Sequence, residues 1–175
     1  MLRHLPACGL LLLMVLGLLL GPHIEAEESR LLAPDWTLEK VGGGSVSLHR
    51  DARGVPAVLF FWASWCPHCG AALPVMESLY QEFAPRGVRF YALNIWEDGD
   101  AVGYFRVHDY HLPLFLTADL VAEEYGIEGT PGVVVIDRQM GIKELHVDGV
   151  SPREMADVLR QYLRAELNRD IVTQR

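Results

Sequence analysis

One stretch of the 175-residue chain decides its fold: VLFFWASWCPHC, residues 58–69. Residues 56–62 form an uninterrupted apolar run, which is typical of a strand that is buried on both faces of a sheet. Residues 66–83 then carry apolar side chains at helical spacing, with Pro74 inside the segment as an expected kink. A buried strand that leads directly into a helix predicts an α/β domain, with two cysteines at the junction.

The two cysteines, Cys66 and Cys69, form a CxxC motif with Pro67 and His68 between them. A thiol at a helix N-terminus faces unpaired backbone N–H groups and the positive end of the helix dipole, and both stabilise a thiolate. We therefore predict that Cys66 is the nucleophile. Cys69 can attack a mixed disulfide formed on Cys66, so we predict that it is the resolving cysteine. Pro67 and His68 are expected to tune the pair, since a protonated His68 adds positive charge.

A structural disulfide, a zinc site and two inert thiols are the alternatives to redox chemistry. A disulfide across so short a loop constrains the unfolded chain little, and therefore stabilises the fold less than a long-range bridge. Structural zinc usually has four nitrogen or sulfur ligands, and the sequence contains no second cysteine pair. His108 and His111 are three residues apart, but we interpret them as solvated and predict no metal site. The pattern favours redox chemistry.

The first 26 residues are predicted to be a secretory signal peptide. The apolar run of residues 10–20 follows Arg3 and precedes acidic residues, a charge order that places the N-terminus in the cytoplasm. Residues 5–21 also reach the lower limit for a membrane span, so an uncleaved anchor is the alternative. In both cases residues 27–175 form one domain outside the cytoplasm, where disulfides persist. Cys8 then belongs to the leader.

Composition excludes several classes of protein. The chain has 15 Lys and Arg against 23 Asp and Glu, a formal net charge of −8. No basic surplus is left to neutralise phosphates, which argues against nucleic-acid binding. Half of the residues are hydrophobic, which is typical of a globular domain and not of a disordered chain.

Local signals place the remaining elements. Residues 42–44 are three glycines that predict the turn of a hairpin, and Ser151 with Glu154 forms a capping box for the last helix. Asp119 is the candidate cap of another helix. The predicted strands are residues 36–41, 45–49, 88–95, 132–136 and 142–147, with an extended piece at 112–116 and helices at 100–110 and 119–125. The stripe that we expect to be buried on the last helix consists of Met155, Val158, Leu159, Tyr162 and Leu163. This order of elements predicts a three-layer α/β sandwich around a mixed sheet.

Residues 33–163 resemble the thioredoxin superfamily, and within it the TlpA/ResA/CcmG-like thiol–disulfide oxidoreductases. The resemblance rests on APDWTL at residues 33–38, the CxxC stretch, Pro74, YGIEGTP at 125–131 and VID at 135–137. It implies a thioredoxin-like central mixed sheet flanked by helices, with an N-terminal β-hairpin extension and an inserted helical segment between residues 95 and 116. It implies no cofactor beyond the redox-active disulfide of the cysteine pair.

The resemblance also implies residues that bind the client. Pro131 is expected to be a cis-proline that faces the cysteines, with the backbone of Thr130 pairing with an extended client segment. The candidates to shape an apolar groove around the nucleophile are Trp62, Trp65 and Trp96. Of these we assign Trp62 to the core and Trp65 to the surface that contacts the client.

Two positions near the cysteine pair differ from those of thioredoxins proper. Phe60 stands where thioredoxins carry a buried aspartate beneath the cysteines. Glu97 matches an acidic residue that the TlpA/ResA branch places near the pair. We expect Glu97 to be a buried carboxylate with a raised pKa that relays a proton to or from Cys69. The alternative for Glu97 is a solvated loop acid.

The expected function is an extracytoplasmic thiol–disulfide oxidoreductase that exchanges its dithiol with cysteines of client proteins. The domain would be periplasmic or otherwise extracytoplasmic, either secreted or anchored to the inner membrane, with a membrane or periplasmic redox partner for recycling. The TlpA/CcmG resemblance favours a reductant. The Pro67-His68 dipeptide resembles that of DsbA, so an oxidant is the first alternative. A copper-handling chaperone that uses Cys66, His68 and Cys69 is the second.

Overall fold

The computed structural model describes residues 31–145 and 150–173. The predicted leader, with Cys8 and the candidate anchor, lies outside these residues. Within the described part of the chain, no helix is both long enough and apolar enough to cross a membrane.

Helices and strands alternate along the chain as the sequence predicts. The elements in chain order are β1 (Thr37–Glu39), β2 (Ser45–Ser47), α1 (Leu48–Asp51), β3 (Ala57–Trp62), α2 (Pro67–Phe83), a 3₁₀ turn (Ala84–Arg86), β4 (Arg89–Asn94), α3 (Ala101–His108), β5 (Leu114–Phe115), α4 (Asp119–Glu124), β6 (Gly132–Ile136), β7 (Ile142–Leu145) and α5 (Pro152–Thr173).

The central sheet has five strands in the order β5-β4-β3-β6-β7. Strands β3, β4 and β5 are parallel, while β6 runs antiparallel to β3 and β7 antiparallel to β6. The sheet is therefore mixed, and β3 lies at its centre with every residue buried. The thioredoxin-like sandwich predicted from the sequence is confirmed.

The two faces of β3 explain why its apolar run is uninterrupted. Val58, Phe60 and Trp62 point to one face, where they pack in a cluster with side chains of α2 and α5. Leu59 and Phe61 alternate with them and pack on the other face with Trp36, α1 and α4. Since both faces of the strand are covered by other layers, no polar residue is needed on either side.

The predicted N-terminal hairpin is present but its second strand is shorter than expected. Strands β1 and β2 pair antiparallel, and β2 ends at Ser47. The predicted strand residues beyond it form the helical turn α1. Asp35 explains the change, because its Oδ1 accepts from the His49 backbone N–H at 2.9 Å and satisfies a donor at the start of that turn.

Two helix starts differ in how they are capped. Asp100 caps α3, and its Oδ1 accepts from the Gly103 N–H at 2.7 Å. The prediction that Asp119 caps α4 is wrong, because the residue at the cap position is Ala118 and no side chain caps that helix. The Asp119 carboxylate instead accepts from the backbone N–H of Trp96 at 2.8 Å. Asp119 therefore accepts a hydrogen bond from a distant residue and not from the first turn of its own helix.

The last helix, α5, begins with the predicted capping box. The Glu154 Oε2 accepts from the Ser151 N–H at 3.0 Å, and the Ser151 Oγ accepts from the Glu154 N–H at 3.3 Å. The predicted buried stripe is correct at Met155, Leu159 and Leu163 but wrong at Val158, which is 49% exposed. Met155, Leu159 and Leu163, spaced four residues apart, form the buried stripe, and Val158 lies at the edge of that stripe.

Candidate functional site

The two cysteines lie where β3 leads into α2. Cys66 is the N-cap residue of α2, and its Sγ accepts from the Cys69 backbone N–H at 3.2 Å. Both thiols are unbridged. Cys66 is 5% exposed, whereas Cys69 is fully buried. Of the two cysteines, only Cys66 therefore has a surface that a reaction partner can reach.

Burial dominates the chemistry of Cys69. It raises the pKa of the Cys69 thiol from 9.0 to about 12, and both a hydrogen bond with Cys66 and charge repulsion from Cys66 act in the same direction. Hydrogen bonds with Ala63 and Thr130 oppose the rise without cancelling it. Cys69 therefore keeps its proton at neutral pH unless a step of the reaction removes it.

The loop before β6 approaches the nucleophile from the other side. The peptide bond between Thr130 and Pro131 is cis. The Cys66 thiol donates to the Thr130 carbonyl oxygen at a distance of 3.4 Å from Sγ. Thr130 thus lies against the sulfur of Cys66.

The position beneath the cysteines is apolar. Phe60 is 1% exposed and belongs to the same buried cluster as Cys66 and Cys69. At the position where thioredoxins proper carry an aspartate, this site has a phenyl ring. Phe60 therefore supplies no proton acceptor for Cys69.

Glu97 is held by hydrogen bonds between two loops. Its Oε2 accepts from the Ser64 N–H at 2.9 Å and from Asn94 Nδ2 at 2.6 Å. Its Oε1 accepts from Ser64 Oγ at 2.6 Å and from the Gly99 N–H at 2.9 Å. Ser64 lies two residues before Cys66, so the carboxylate ties the redox loop to the loop that follows β4.

The expected raised pKa of Glu97 is wrong. Burial does raise the pKa of this carboxyl group, but the hydrogen bonds from Ser64, Asn94 and Gly99 outweigh burial and hold the pKa below its ordinary value of 4.5. Each of these donors stabilises the charged form. The alternative of a freely solvated loop acid is wrong too, because the side chain is half-buried and bonded on both oxygens.

Two tryptophans flank the redox loop on its exposed side. Trp65 is 49% exposed and Trp96 is 40% exposed, whereas Trp62 is buried in the core as predicted. The Trp65 Nε1–H donates to the Trp96 carbonyl oxygen at 2.7 Å. Asp119, the first residue of α4, accepts from the Trp96 N–H. The indole of Trp65, the residue before Cys66, is thus fixed to the backbone of Trp96.

Sequence reasoning missed the residues that build this support. Ser64, Asn94 and Asp119 were not singled out as site residues, although each bonds to Glu97 or Trp96. A signal was available for Asn94, which is a polar residue at the end of the buried strand β4. For Ser64 no local pattern distinguishes the residue from an ordinary loop position, and the pattern at Asp119 indicated a helix cap instead.

A groove of about 390 Å³ opens between the start of α2, the loop before β6 and the start of α5. Its walls include His68, Thr130, Pro131, Pro152 and Met155. His68 is exposed, and Pro67 is the first residue of α2. The groove joins the predicted tuning residue His68 to the predicted client-binding loop.

The two histidines of the inserted segment have protein partners. His108 Nδ1 lies 2.8 Å from the Tyr104 carbonyl oxygen, and its ring stacks on Tyr104 and Tyr110. His111 Nδ1 lies 3.4 Å from Glu77 Oε1. In residues 31–145 and 150–173, no group of three or more His, Cys, Asp and Glu side chains is arranged to hold a metal ion.

Residues 31–145 match the model of the AhpC/TSA family. The thiol-disulfide oxidoreductase ResA of Halalkalibacterium halodurans is 31% identical over 137 residues, which cover 77% of this chain and 76% of ResA. The thiol:disulfide interchange protein DsbE of Pseudomonas fluorescens biotype C is 30% identical over 150 residues, which cover 79% of this chain and 80% of DsbE. A solved DsbE structure from Chlorobium tepidum has a TM-score of 0.66 at 25% identity, and covers 79% of this chain and 96% of that one. All three proteins are named for thiol–disulfide exchange.

Proposed function

The chain belongs to the AhpC/TSA family and is a thiol–disulfide oxidoreductase of the ResA/DsbE type, and from that premise we propose that it reduces disulfides of client proteins. One observation carries the proposal: an unbridged dithiol at the start of α2, with Cys66 at the N-cap and Cys69 buried behind it. This arrangement supports Cys66 as the nucleophile and Cys69 as the resolving thiol.

The proposed exchange has two steps. The Cys66 thiolate attacks one sulfur of the client disulfide, the client S–S bond breaks, and the second client sulfur leaves as a thiolate that takes up a proton. Cys69 then loses its proton and attacks the Cys66 sulfur of the mixed disulfide. The Cys66–Cys69 disulfide forms, and the first client cysteine leaves as a thiol. The client gains two electrons and the chain loses two, so a dithiol partner has to reduce the chain again.

The direction of electron flow depends on how strongly the reduced pair is stabilised as a thiolate. A strong oxidant such as DsbA owes its potential to a stabilised reduced form. Here the Thr130 carbonyl accepts from the Cys66 thiol, a bond that the thiolate cannot make. Burial also holds the pKa of Cys69 high. The Cys69 N–H donates to the Cys66 sulfur and acts the other way. The hydrogen bond to Thr130 and the burial of Cys69 both support a reductant, the direction that the TlpA/CcmG resemblance implies.

Client binding is proposed on the two sides of Cys66. An extended client segment would pair with the backbone of Thr130, next to Pro131, and its side chains would enter the groove of about 390 Å³. Trp65 would contact the client on the opposite side. His68, exposed at the first turn of α2, would tune the pair together with Pro67.

Glu97 acts in this proposal as a positioning residue. Its lowered pKa keeps it charged at neutral pH, where a carboxylate accepts hydrogen bonds and has no proton to give. Its four hydrogen bonds support a role in holding Ser64, and with it the loop that carries Cys66. The proton that Cys69 loses would pass to the departing client sulfur or to water.

We place the domain outside the cytoplasm. The charge order around residues 10–20 supports a signal peptide over residues 1–26, or an anchor over residues 5–21. Clients would be proteins with cysteines, and the recycling dithiol would belong to a membrane or periplasmic redox partner.

Two cysteine variants test the proposal. Cys66→Ser removes the nucleophile and should abolish reduction of a disulfide-containing client such as insulin. Cys69→Ser leaves the mixed disulfide without a resolving thiol, so client adducts on Cys66 should accumulate and be visible by mass spectrometry. Cys8→Ser, the matched control at the third cysteine, should reduce insulin at the wild-type rate. Retained activity in Cys66→Ser would overturn the assignment of roles.

A further inference from the structure

Trp96 has an unusual conformation for an exposed aromatic residue. Its φ is +49°, in the left-handed region that bulky side chains rarely adopt. Two hydrogen bonds hold it there, one from its N–H to Asp119 and one to its carbonyl from the Trp65 indole. The result is an indole that stays 40% exposed beside the redox loop and does not fold into the core. A strained residue that is held in place by its neighbours is a candidate for a functional contact.

A second groove, of about 320 Å³, opens beside Trp96 at the ends of β4 and β5. Trp96, Val102 and Leu116 form apolar walls. The acidic residues of the lining are Glu97, Asp100 and Asp119. No Lys, Arg or His side chain lines it. Asp100 and Asp119 each use Oδ1 for a backbone N–H, which leaves Oδ2 without a hydrogen bond among the described residues. An aromatic face with anionic neighbours attracts a cation.

Trp96 links the groove to the exchange site, because its carbonyl oxygen accepts from the Trp65 indole. Trp65 directly precedes Cys66 in the chain, and its indole N–H donates to the Trp96 carbonyl oxygen. A client segment that presents its sulfur to Cys66 would therefore pass close to Trp65 and Trp96. The long apolar stem of a Lys or Arg can lie along such rings while its charged end reaches the carboxylates.

We propose that Trp96 and this groove bind a basic side chain of the client, close to the client's reacting cysteine. The inference rests on the proposed function and adds a substrate class to it: disulfides flanked by Lys or Arg. The occupant is argued from charge complementarity and from the hydrogen bond that ties Trp96 to Trp65, the residue before Cys66. Trp96 is then a specificity-determining residue of the reaction.

The test uses three short peptides with one internal disulfide that differ only beside the attacked cysteine, where they carry Lys, norleucine or Glu. Norleucine keeps the apolar stem of Lys without the charge. The second-order rate of reduction by the reduced protein is measured for each peptide by acid quenching and mass spectrometry. For the wild type we expect the Lys peptide to react roughly two- to fivefold faster than the norleucine peptide, the range of an exposed cation–π contact. The Glu peptide should react more slowly than both.

Two variants separate the ring from the charge. Trp96→Ala should bring the ratio of Lys to norleucine rates close to one, and Trp96→Phe should restore part of it. Asp119→Asn keeps an Oδ1 acceptor for the Trp96 N–H but removes the charge, so the ratio of the Lys rate to the norleucine rate should fall. Val107→Ala, at an exposed apolar position outside the groove, is the control and should behave as the wild type. Because the readout is a ratio of rates within one variant, a general loss of folded protein does not alter it.

The outcomes distinguish this inference from the proposed function. If the wild type reduces all three peptides at equal rates or prefers norleucine, or if Trp96→Ala keeps the full Lys preference, the inference is overturned and the oxidoreductase function stands. If the wild type reduces none of the peptides, the proposed function itself fails. High salt should shrink the Lys preference of the wild type, since the groove is open to solvent.

Discussion

The turn after β3 and the turn after β4 leave neighbouring parallel strands at the same edge of the sheet, and they carry different kinds of side chain. The first turn leads to Cys66 and Cys69, whose sulfur atoms are buried or nearly so. The second presents Trp96 and Glu97, an exposed indole and a charged carboxylate. The reacting atoms thus lie in an apolar setting, and the polar and aromatic surface lies beside them.

The two turns are nevertheless one unit, because their side chains bond across the gap. Glu97 holds Ser64, and the Trp65 indole holds the carbonyl of Trp96. A site at the carboxyl ends of adjacent parallel strands is a common arrangement in α/β proteins, since both loops meet there. The reactive thiols and the indole that we propose as a specificity determinant thus lie on different turns, and hydrogen bonds hold the two turns together.

The largest effect is expected in the buried thiol of the first turn. Burial raises the pKa of Cys69 to about 12, so the thiol is almost entirely protonated at pH 7. Alkylation of Cys69 by iodoacetamide should therefore accelerate steadily up to the highest pH at which the protein stays folded. Cys66→Ala removes the hydrogen bond and the charge repulsion but not the burial, so the apparent pKa should fall yet stay above 9.0.

Peptide mass spectrometry after timed alkylation measures this directly. The pH dependence and not the absolute rate is the readout, because burial also slows access of the reagent. A Cys69 profile that levels off below pH 9 would show that burial does not govern the resolving thiol.

The next effect concerns the bonds of Glu97. Glu97→Ala leaves the Ser64 and Gly99 backbone donors and the Asn94 amide without their acceptor, which should lower the free energy of unfolding by about 1–3 kcal/mol. Asp98→Ala, at the neighbouring exposed acid, is the matched control and should change it by less than about 0.5 kcal/mol. Urea unfolding of the three proteins measures the difference. Equal stability of Glu97→Ala and the control would mean that the two turns are not held together by this side chain.

The same carboxylate predicts a pH dependence. Its pKa is lower in the folded than in the unfolded chain, so the stability it contributes is present above about pH 4.5 and is lost as the pH falls through the folded value. The stability difference between the wild type and Glu97→Gln should therefore shrink below about pH 4.5. The alkylation profile of Cys69 should be the same in both proteins. A shifted profile would instead indicate that Glu97 relays a proton.

The smallest effect is expected for the indole bond between the turns. Trp65→Phe keeps an aromatic ring but loses the N–H that donates to the Trp96 carbonyl. Because Trp65 is half exposed, water can replace this bond, and the cost should lie at the lower end of about 0.5–1.5 kcal/mol. Thermal unfolding compares this variant with the wild type. A loss as large as that of Glu97→Ala would mean that the indole, and not the carboxylate, is the main link.

Local patterns predicted most of the fold. The apolar run of β3 and the Ser151–Glu154 capping box are determined by residues near in sequence, and both are correct. The errors share a cause. The sequence predicted Asp119 as a helix cap and Glu97 as a buried acid. Each instead accepts a hydrogen bond from a residue more than twenty positions away: Asp119 from Trp96, and Glu97 from Ser64. Which loops meet is decided by the packing of the sheet, and no spacing in the sequence encodes it.

The candidate site divides in the same way. The CxxC pair was visible because its spacing and its place between a buried strand and a helix carry the chemistry. The low pKa of Glu97 was not predictable, because its direction depends on how many donors the folded chain brings to the carboxylate.

The reduction potential of the Cys66–Cys69 couple tests the central claim most directly. The reduced and oxidised forms can be equilibrated in dithiothreitol buffers of known ratio and quantified by alkylation and mass spectrometry. If the chain reduces client disulfides, the potential should lie near that of thioredoxin, at about −270 mV. A potential near that of DsbA, at about −120 mV, would contradict the account and assign the chain as an oxidant of client thiols.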